Sequence, residues 1–274
     1  MDRQMVSSAV GVHVGFKRGN NEDNFFCNGR YLNEADRETP VLYEDNCGDG
    51  LQFYAVFDGM GGEALGEEAS LIGAQALGKY QGMLGEMAYH DLDKYITMYV
   101  NEACGLIRDR VAQTGGHRIG TTVALLCLEG SRAHCYNIGD SRIYLIRDNE
   151  MAGITVDHNY SMLLNQKVKK GVITKEEADS HPKREALISY IGMGGVKYID
   201  VNPNPFKLEN GDYIVICSDG LYRSLEETEM KNIILSSQLD VSGTANELIS
   251  RAICKQKKNQ DNTTVVLIKY LDSG

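Results

Sequence analysis

Acidic residues at five separate places in this chain are of the right type to bind metal ions together. They are Glu22-Asp23, Asp58, Asp140, Asp219 and Asp261. Most of them lie where an apolar run ends, as Asp58 does after residues 52–57 and Asp219 after residues 213–218. A carboxylate at the end of a strand costs little when it meets water or a cation, but it costs much when it is buried unpaired. Several carboxylates at one edge would repel one another unless a cation held them, and sets of oxygen ligands suit Mg²⁺ or Mn²⁺.

Apolar periodicity predicts the elements that must position these carboxylates. Alternating or continuous short apolar runs predict strands, and i, i+3, i+4 spacing predicts helices. The predicted strands are 6–16, 51–57, 121–128, 132–138, 142–146, 196–201, 213–217 and 263–270, and the predicted helices are 63–80, 91–112, 225–236 and 241–254. Short connectors at 129–131 and 139–141 predict that the three strands between 121 and 146 form an antiparallel meander. Residues 27–50 are polar apart from 41–43 and are interpreted as a hairpin-like excursion.

The order of these elements indicates the fold class. Strands come in antiparallel hairpins and helices in pairs, so paired sheets covered by helices on the outside are expected. Residues 157–187 are helical, polar and rich in Lys and Glu, without a long apolar face. They are interpreted as an appended flap on the core or as a plain pair of surface helices.

Composition limits the classes of function. The chain has 274 residues, 42% of them hydrophobic and 24% charged, and its formal net charge is −10. This acidic balance argues against binding nucleic acid or an anionic membrane, although it could simply serve solubility. Seven cysteines without a CxxC pair favour a reducing compartment. Without a signal-peptide pattern or an apolar run of roughly 18 residues, we expect a cytoplasmic protein.

At this point the acidic positions match a known pattern. The chain resembles the metal-dependent protein phosphatases, the type-2C Ser/Thr phosphatases, in their compact bacterial form. The matching segments occur in family order and are 15–23 (GFKRGNNED), 56–62 (VFDGMGG), 120–122 (GTT), 137–142 (NIGDSR), 157–158 (DH), 181–182 (HP), 218–221 (SDGL) and 261–262 (DN). Any one of them alone is uninformative, but the ordered set is specific and spans nearly the whole chain.

The resemblance implies both a fold and an activity. The implied fold is an α+β, four-layer αββα sandwich of two antiparallel β-sheets flanked by helix pairs. It would form a single catalytic domain over 1–274, with a small helical flap subdomain at about 158–190. The implied activity is hydrolysis of phospho-Ser/Thr monoesters on proteins by a water that bridges two Mn²⁺ or Mg²⁺ ions.

Roles for individual residues follow from the resemblance, position by position. Asp58 would bridge the two metals, and Asp219 and Asp261 would complete the first site. Glu22 and the Gly59 carbonyl would serve the second site, with Asp23 holding metal-bound water. Asp140 together with Asp219 resembles the ligands of a third metal in bacterial members. Arg18 would grip the substrate phosphate, for which its guanidinium fork is suited.

Plainer roles remain open for several of these residues. Asp-Gly is a common turn pair, Asp140 could be a hairpin-turn residue, Asp23 a loop cap and Arg18 a surface charge. Gly61-Gly62 could cradle a phosphate, but a turn that leads into the next helix is the preferred interpretation. Asn262 is expected to orient Asp261 rather than to bind metal.

The chain departs from the family pattern at three positions. Met60 stands where many eukaryotic members have a histidine proposed as general acid, so another group, such as a metal-bound water, must protonate the leaving oxygen. Arg223 stands where the family often has an Asp, four residues after Asp219. Glu185 replaces the usual Asn of the flap, which leaves the substrate preference open.

Three functions are compatible with the resemblance. The first is a phosphatase that acts on phosphorylated Ser/Thr proteins, including a cognate kinase and its substrates. The second is a non-catalytic regulator that keeps the fold for binding, although such chains usually lose metal Asp residues. The third is a phosphatase dedicated to one small regulatory protein. Without sustained heptads we expect a monomer.

Overall fold

The structure is a computed structural model that describes residues 4–16, 18–33, 41–47, 50–61, 65–84, 92–114, 118–201, 205–255 and 260–272. Its strands are β1 (Gln4–His13), β2 (Asn24–Cys27), β3 (Val41–Cys47), β4 (Leu51–Phe57), β5 (Gly59–Met60), β6 (Gly120–Thr121), β7 (Val123–Glu129), β8 (Arg132–Ile138), β9 (Arg142–Arg147), β10 (Glu150–Gly153), β11 (Asp200–Val201), β12 (Phe206–Lys207), β13 (Tyr213–Cys217) and β14 (Thr263–Asp272). Its helices are α1 (Gly66–Leu84), α2 (Leu92–Gln113), α3 (Tyr160–Lys169), α4 (Lys175–Asp179), α5 (Asp219–Tyr222), α6 (Glu227–Ser236) and α7 (Val241–Cys254).

Two large antiparallel sheets form the centre of the fold. The first has the strand order β10-β9-β13-β14-β1-β3, and the second has the order β11-β8-β7-β4-β2, with β12 also paired to β8. Every strand pair is antiparallel. The short strands β5 and β6 pair with each other beside the second sheet.

Side chains that alternate along each strand fill three apolar layers. In β4, Phe53 and Phe57 face the layer with α1 and α2, whereas Tyr54 and Val56 face the layer between the two sheets. In β14, Val266 lies between the sheets, and its neighbours along the strand face α7 on the other side. Strands buried on both faces read as continuous apolar runs, which explains why 121–128 and 263–270 carry so little polar sequence. The predicted α+β, four-layer αββα architecture is confirmed.

The long helices α2 and α7 agree closely with their predicted bounds, whereas α1 ends at Leu84, four residues after its predicted end. Helix α2 begins one residue later and ends one residue later than predicted, and α7 has the predicted bounds of 241–254. Asp240 caps α7 by accepting a hydrogen bond from the Gly243 N–H at 2.7 Å. The predicted start of the first helix at Glu63 lies outside the described residues.

The predicted meander is wrong at its third strand. Strands β7 and β8 form the expected hairpin, but β9 pairs with β13 and β10 in the other sheet. The connector 139–141 therefore carries the chain from one sheet to the other. Gly139 allows this turn with φ +110°, and a Cβ there would lie 2.5 Å from the Thr122 side chain.

Two further predictions differ from the structure. The predicted strand 196–201 is reduced to β11, because only Asp200 and Val201 find partners, on β8. The excursion at 27–50 is not a hairpin, since β3 pairs with β1 in the first sheet while β2 pairs with β4 in the second. Residues 34–40 and 48–49 of this excursion lie outside the described residues.

The segment after β10 contains the short helices α3 and α4, and we call residues 158–190 the flap. Helices α3 and α4 bury only Leu164 and Ala178 among their own residues, which agrees with the absence of an apolar face in the sequence. Backbone hydrogen bonds attach both ends of the flap to the core. The His158 N–H donates to Gly139 O at 2.7 Å, and Ile191 exchanges two hydrogen bonds with Thr121.

Candidate active site

The structure brings the predicted acidic residues together at one edge of the two sheets. Each lies in a loop or at an element end: Glu22 and Asp23 between β1 and β2, Asp58 after β4, Asp140 between β8 and β9, Asp219 at the start of α5, and Asp261 just before β14. The negative charges of Asp219, Asp23, Asp140 and Asp261 all act on Asp58. We call this group the carboxylate cleft.

Asp58 is held by Thr122, which lies between β6 and β7. Its N–H donates to Thr122 Oγ1 at 2.9 Å, and its carbonyl accepts from the Thr122 N–H at 2.9 Å. Thr122 Oγ1 also shares a 2.7 Å hydrogen bond with Ser141 Oγ, beside Asp140. One buried threonine thus fixes the positions of Asp58 and of the turn that carries Asp140.

Gly59 lets two backbone segments meet beside Asp58. A Cβ on Gly59 would lie 2.2 Å from Gly66 O and 2.4 Å from Glu22 O, so no other residue fits without backbone movement. The Gly59 N–H donates to Glu22 O at 3.2 Å. The Glu22 carboxylate lies against Gly66 at the start of α1, and a Cβ on Gly66 would lie 2.6 Å from this carboxylate. A backbone hydrogen bond from Gly66 stabilises the charged form of Glu22.

Asn262 fastens the loop that carries Arg18 and Glu22. Its side-chain oxygen accepts from the Glu22 N–H at 2.8 Å, and its side-chain nitrogen donates to Val14 O at 2.8 Å and to Asn20 O at 2.9 Å. Asp261 Oδ1 accepts from the Asn262 N–H at 2.9 Å. The predicted orienting role of Asn262 stays a prediction. Its side-chain amide is hydrogen-bonded to the loop, and only its backbone N–H contacts Asp261.

Asp23 is buried behind the cleft. Its Oδ2 accepts from Ser218 Oγ and from Thr264 Oγ1, both at 2.7 Å. Ser218 immediately precedes Asp219 in the chain, and its hydroxyl also accepts from the Thr264 N–H at 3.0 Å. Sequence reasoning missed Thr264, whose only signal was its place three residues after Asp261.

Two arginines lie on the open side of the cleft. Arg18 Nη2 contacts Asp261 Oδ2 at 2.6 Å, and the arginine side chain is 49% exposed. Arg223 Nε lies 3.2 Å from Asp219 Oδ2, and its Nη2 lies 3.7 Å from Asp140 Oδ2. Met60, in β5, lies next to Gly59 along the chain and brings no titratable group to the cleft.

Burial and mutual repulsion disfavour the charged forms of these carboxylates. Burial raises the pKa of Asp23 and of Asp140 to about 7 and that of Asp219 to about 6. Burial, reinforced by the charge of Asp219, also raises the pKa of Asp58 well above its usual range. Burial raises the pKa of Glu22 as well, although the charge of Arg18 acts in the opposite direction. A group of carboxylates with this electrostatic penalty is the arrangement that a bound cation relieves.

One carboxylate oxygen in the cleft is left without a hydrogen bond. Asp219 Oδ1 is buried and has no hydrogen-bond partner in the described part of the chain. Within these same residues, no three Asp, Glu, His or Cys side chains already converge on one point as a ligand set. Arg18 contacts Asp261 Oδ2, and Arg223 Nε lies beside Asp219 Oδ2. The donor types, hard oxygens under mutual repulsion, nevertheless fit Mg²⁺ or Mn²⁺.

Comparisons with known proteins give a consistent result. The sequence profile described as protein phosphatase 2C matches residues 42–252. The serine/threonine phosphatase stp of Listeria welshimeri is 30% identical over 235 residues, which cover 82% of this chain and 89% of that protein. Arg18, Glu22 and Asp261 lie outside the residues that the profile matches.

Solved structures match nearly the whole chain. The serine/threonine phosphatase of S. agalactiae superposes with a TM-score of 0.77 at 25% identity and covers 96% of this chain and 99% of its own. The catalytic domain of the serine/threonine protein phosphatase PstP, in complex with two manganese ions, has a TM-score of 0.74 at 25% identity. That match covers 98% of this chain and 100% of the PstP chain.

Proposed function

Because the chain belongs to the protein phosphatase 2C family and is a metal-dependent serine/threonine protein phosphatase, we propose that the carboxylate cleft is its catalytic site. The observation that carries this assignment is Asp219 Oδ1, a buried carboxylate oxygen without a hydrogen bond at the centre of a repelling acidic group. A buried oxygen of this kind costs free energy unless a ligand satisfies it.

The residues of the cleft divide into two sets of metal ligands. Asp58, Asp219 and Asp261 would hold one ion, and Asp58, the Gly59 carbonyl and Glu22 would hold the other. Asp23, which is hydrogen-bonded to Ser218 and Thr264, would support the second set from behind. When bound, two such ions neutralise the charge of the phosphate and lower the pKa of a water placed between them.

Arg18 would bind the phosphate of the substrate. Its side chain is half-exposed at the mouth of the cleft, and its guanidinium already contacts a carboxylate oxygen of Asp261 at 2.6 Å. The planar fork that binds a carboxylate also matches two oxygens of a phosphate. Positioned there, Arg18 would hold the phosphorus atom over Asp58 while the protein part of the substrate remains outside.

The assignment is tested by metal-dependent turnover of small and peptide substrates. Hydrolysis of p-nitrophenyl phosphate and of a phosphothreonine peptide is measured with Mn²⁺, with Mg²⁺ and with EDTA, for the wild type and for Asp219→Asn. Asp148→Asn is the matched control, since Asp148 is exposed in the β9–β10 turn at φ 50°, a conformation that Asn tolerates. We expect turnover that needs the metal, is lost in Asp219→Asn and persists in Asp148→Asn. Metal-dependent turnover that survives in Asp219→Asn would remove the cleft from the mechanism.

We further propose that residues 1–274 form one catalytic domain, with the flap at about 158–190, and that the protein is a monomer. Light scattering coupled to size exclusion tests the oligomeric state.

The proposed substrates are phosphoproteins that include a cognate kinase and its targets, because a protein phosphatase reverses the action of a kinase. Recovery of phosphate from an autophosphorylated kinase tests this, with casein phosphorylated by an unrelated kinase as the comparison.

A cytoplasmic location is also proposed. This proposal is supported by six cysteines that are free thiols. Five of them are buried and Cys254 is exposed; the six are Cys27, Cys104, Cys127, Cys135, Cys217 and Cys254. Free thiols in this number are typical of a reducing compartment. Across the residues that the structure describes, no helix combines the length and the apolar character that spanning a bilayer requires. Fractionation of cells that express the tagged protein tests the location.

A further inference from the structure

Arg223 places a fixed positive charge between two carboxylates of the cleft and the flap. Its Nε lies 3.2 Å from Asp219 Oδ2, and its Nη2 lies 3.7 Å from Asp140 Oδ2 and 3.3 Å from Glu185 Oε2. Asp140 is nearly completely buried, whereas the Arg223 side chain is 44% exposed. The guanidinium therefore closes the outer side of the Asp140–Asp219 pair.

We propose that Arg223 is a built-in cation that takes the place of a third divalent ion at Asp140 and Asp219, so that this phosphatase binds two metal ions and not three. The inference rests on the proposed function, because it takes the two-ion site at Asp58 as given. It assigns to Asp140 the role of partner to Arg223 instead of metal ligand.

The first argument is competition for the same oxygens. A divalent ion between Asp140 and Asp219 would need Asp219 Oδ2, which now faces Arg223 Nε. That ion would also lie within a few ångströms of a guanidinium, and like charges at such a distance repel strongly in a partly buried site. An arginine keeps its charge at every physiological pH, so it cannot yield by deprotonation.

The second argument is that the position of Arg223 is built into the backbone. Arg223 follows α5 directly, and its N–H donates to Asp219 O at 2.9 Å, so the two side chains leave the same helical turn. A tethered cation loses less translational freedom on binding than an ion taken from solution. Glu185 of the flap faces the guanidinium from a third side, so that Arg223 links α5 to the flap.

The third argument is that the two carboxylate oxygens of Asp219 have different surroundings. Oδ2 faces Arg223, whereas Oδ1 is buried without a hydrogen bond. One oxygen is thus committed to the guanidinium and the other is left for an ion on the Asp58 side. This arrangement supplies the two-ion site and leaves no second oxygen of Asp219 for a third ion.

Counting bound Mn²⁺ tests the proposal without relying on turnover. Isothermal titration and equilibrium dialysis are performed on the wild type, on Arg223→Gln and on Arg223→Lys. Glutamine removes the charge without adding a carboxylate, so a new ion must be held by residues already present. The matched control is Arg251→Gln, because Arg251 makes an i, i+4 ion pair with Glu247 on α7 that resembles the Arg223–Asp219 pair but has no role in the cleft.

The expected result is two ions for the wild type, for Arg223→Lys and for Arg251→Gln, and a third, weaker ion for Arg223→Gln. The third ion should disappear again in the double variant Arg223→Gln/Asp140→Asn. Three ions in the wild type, or two in Arg223→Gln with unchanged affinities, would overturn the proposal. Failure of the proposed function would give a different result. In that case Asp58→Asn would still bind two Mn²⁺ ions with the same affinities as the wild type. A wild type that binds no Mn²⁺ would overturn both.

Discussion

The side-chain oxygen of Asn262 accepts a hydrogen bond from the backbone N–H of Glu22 at 2.8 Å, across 240 positions of sequence. With the two bonds that its nitrogen donates to Val14 and Asn20, the amide holds the loop on one side of the cleft against the strand on the other. Asn262 is buried, so each bond it makes is protected from water. One uncharged residue thus fixes the position of Glu22 relative to Asp261.

Replacing Asn262 by Ala should weaken both the fold and the metal site. Buried backbone groups left without a partner cost about 1–3 kcal/mol each, so the loss of three such hydrogen bonds should lower the free energy of unfolding by about 3 kcal/mol or more. Because partners behind the ligands orient them, Mn²⁺ affinity should fall by about 10–100-fold. Urea denaturation and Mn²⁺ titration measure the two effects, with Asn232→Ala on the exposed side of α6 as the control. A fully stable variant with unchanged Mn²⁺ affinity would contradict this role.

Replacing Arg18 should lower the rate of substrate hydrolysis more than it lowers the stability of the fold. The Arg18–Asp261 pair is exposed, and such pairs contribute about 0–1 kcal/mol to stability. Hydrogen bonds to charged groups contribute about 1.5–3 kcal/mol, so Arg18→Ala should lower kcat/KM for p-nitrophenyl phosphate by about 10–100-fold. Arg18→Lys should recover part of this loss, because lysine keeps the charge but not the fork.

The control for Arg18 is Arg132→Ala, which removes an exposed arginine from β8. It should leave kcat/KM and the Mn²⁺ affinity unchanged. Unchanged kcat/KM in Arg18→Ala would show instead that the arginine serves only Asp261.

The elements of the two layers could be predicted from the sequence because burial on both faces leaves a strong signal. Strands such as 213–217 and 132–138 are uninterrupted apolar or alternating runs, and their predicted bounds agree with the structure. The helices α2 and α7 each carry an apolar face with 3.6-residue spacing. These patterns reflect local contacts that recur along one element.

What could not be predicted is which sheet a strand joins. The connector after β8 has the length and the residues of a hairpin turn, yet it crosses between the sheets because Gly139 adopts φ +110° against Thr122. The sheet that β3 and β9 join depends on partners distant in sequence, since β3 pairs with β1 across 29 to 41 positions and β9 pairs with β13 across 67 to 75. The Arg223 contacts to Asp140 and Glu185 were invisible for the same reason. The acidic positions could be found from their place at the ends of apolar runs, but the role of each one followed only from the resemblance to a known family.

Gly59→Ala should be among the most damaging single substitutions in this chain. The added Cβ would meet Gly66 O and Glu22 O at 2.2 and 2.4 Å, and both are backbone atoms that cannot rotate away. Overpacking typically costs about 1–3 kcal/mol, and a clash with two backbone segments should reach or exceed the upper end. The control is Gly105→Ala, at an open position within α2, which should stabilise the helix by about 0.5–1 kcal/mol. Thermal unfolding compares the two, and equal melting temperatures would contradict the close packing beside Asp58.

The stability of the chelated protein should fall as the pH rises. Burial raises the pKa of Asp219 to about 6 and those of Asp23 and Asp140 to about 7, all from an ordinary value of 3.8. Between the unfolded and the folded values the native state holds protons that the unfolded chain has released, so the free energy of unfolding decreases with pH. Each such group contributes a slope of up to about 1.4 kcal/mol per pH unit.

Urea denaturation in EDTA at intervals from about pH 4.5 to 8 measures this slope, and Asp219→Asn isolates one group. The variant should lose part of the downward slope between about pH 4 and pH 6, because it lacks the contribution of Asp219 while Asp23 and Asp140 still contribute. Added Mn²⁺ should stabilise the wild type strongly at the high end of the range and weakly at the low end, because protons compete for the same oxygens. His158, whose pKa is lowered by burial, gives an opposite slope below its usual range in both proteins, so it cancels in the comparison. A wild-type slope equal to that of Asp219→Asn would mean that Asp219 is ionised in the native protein throughout this range.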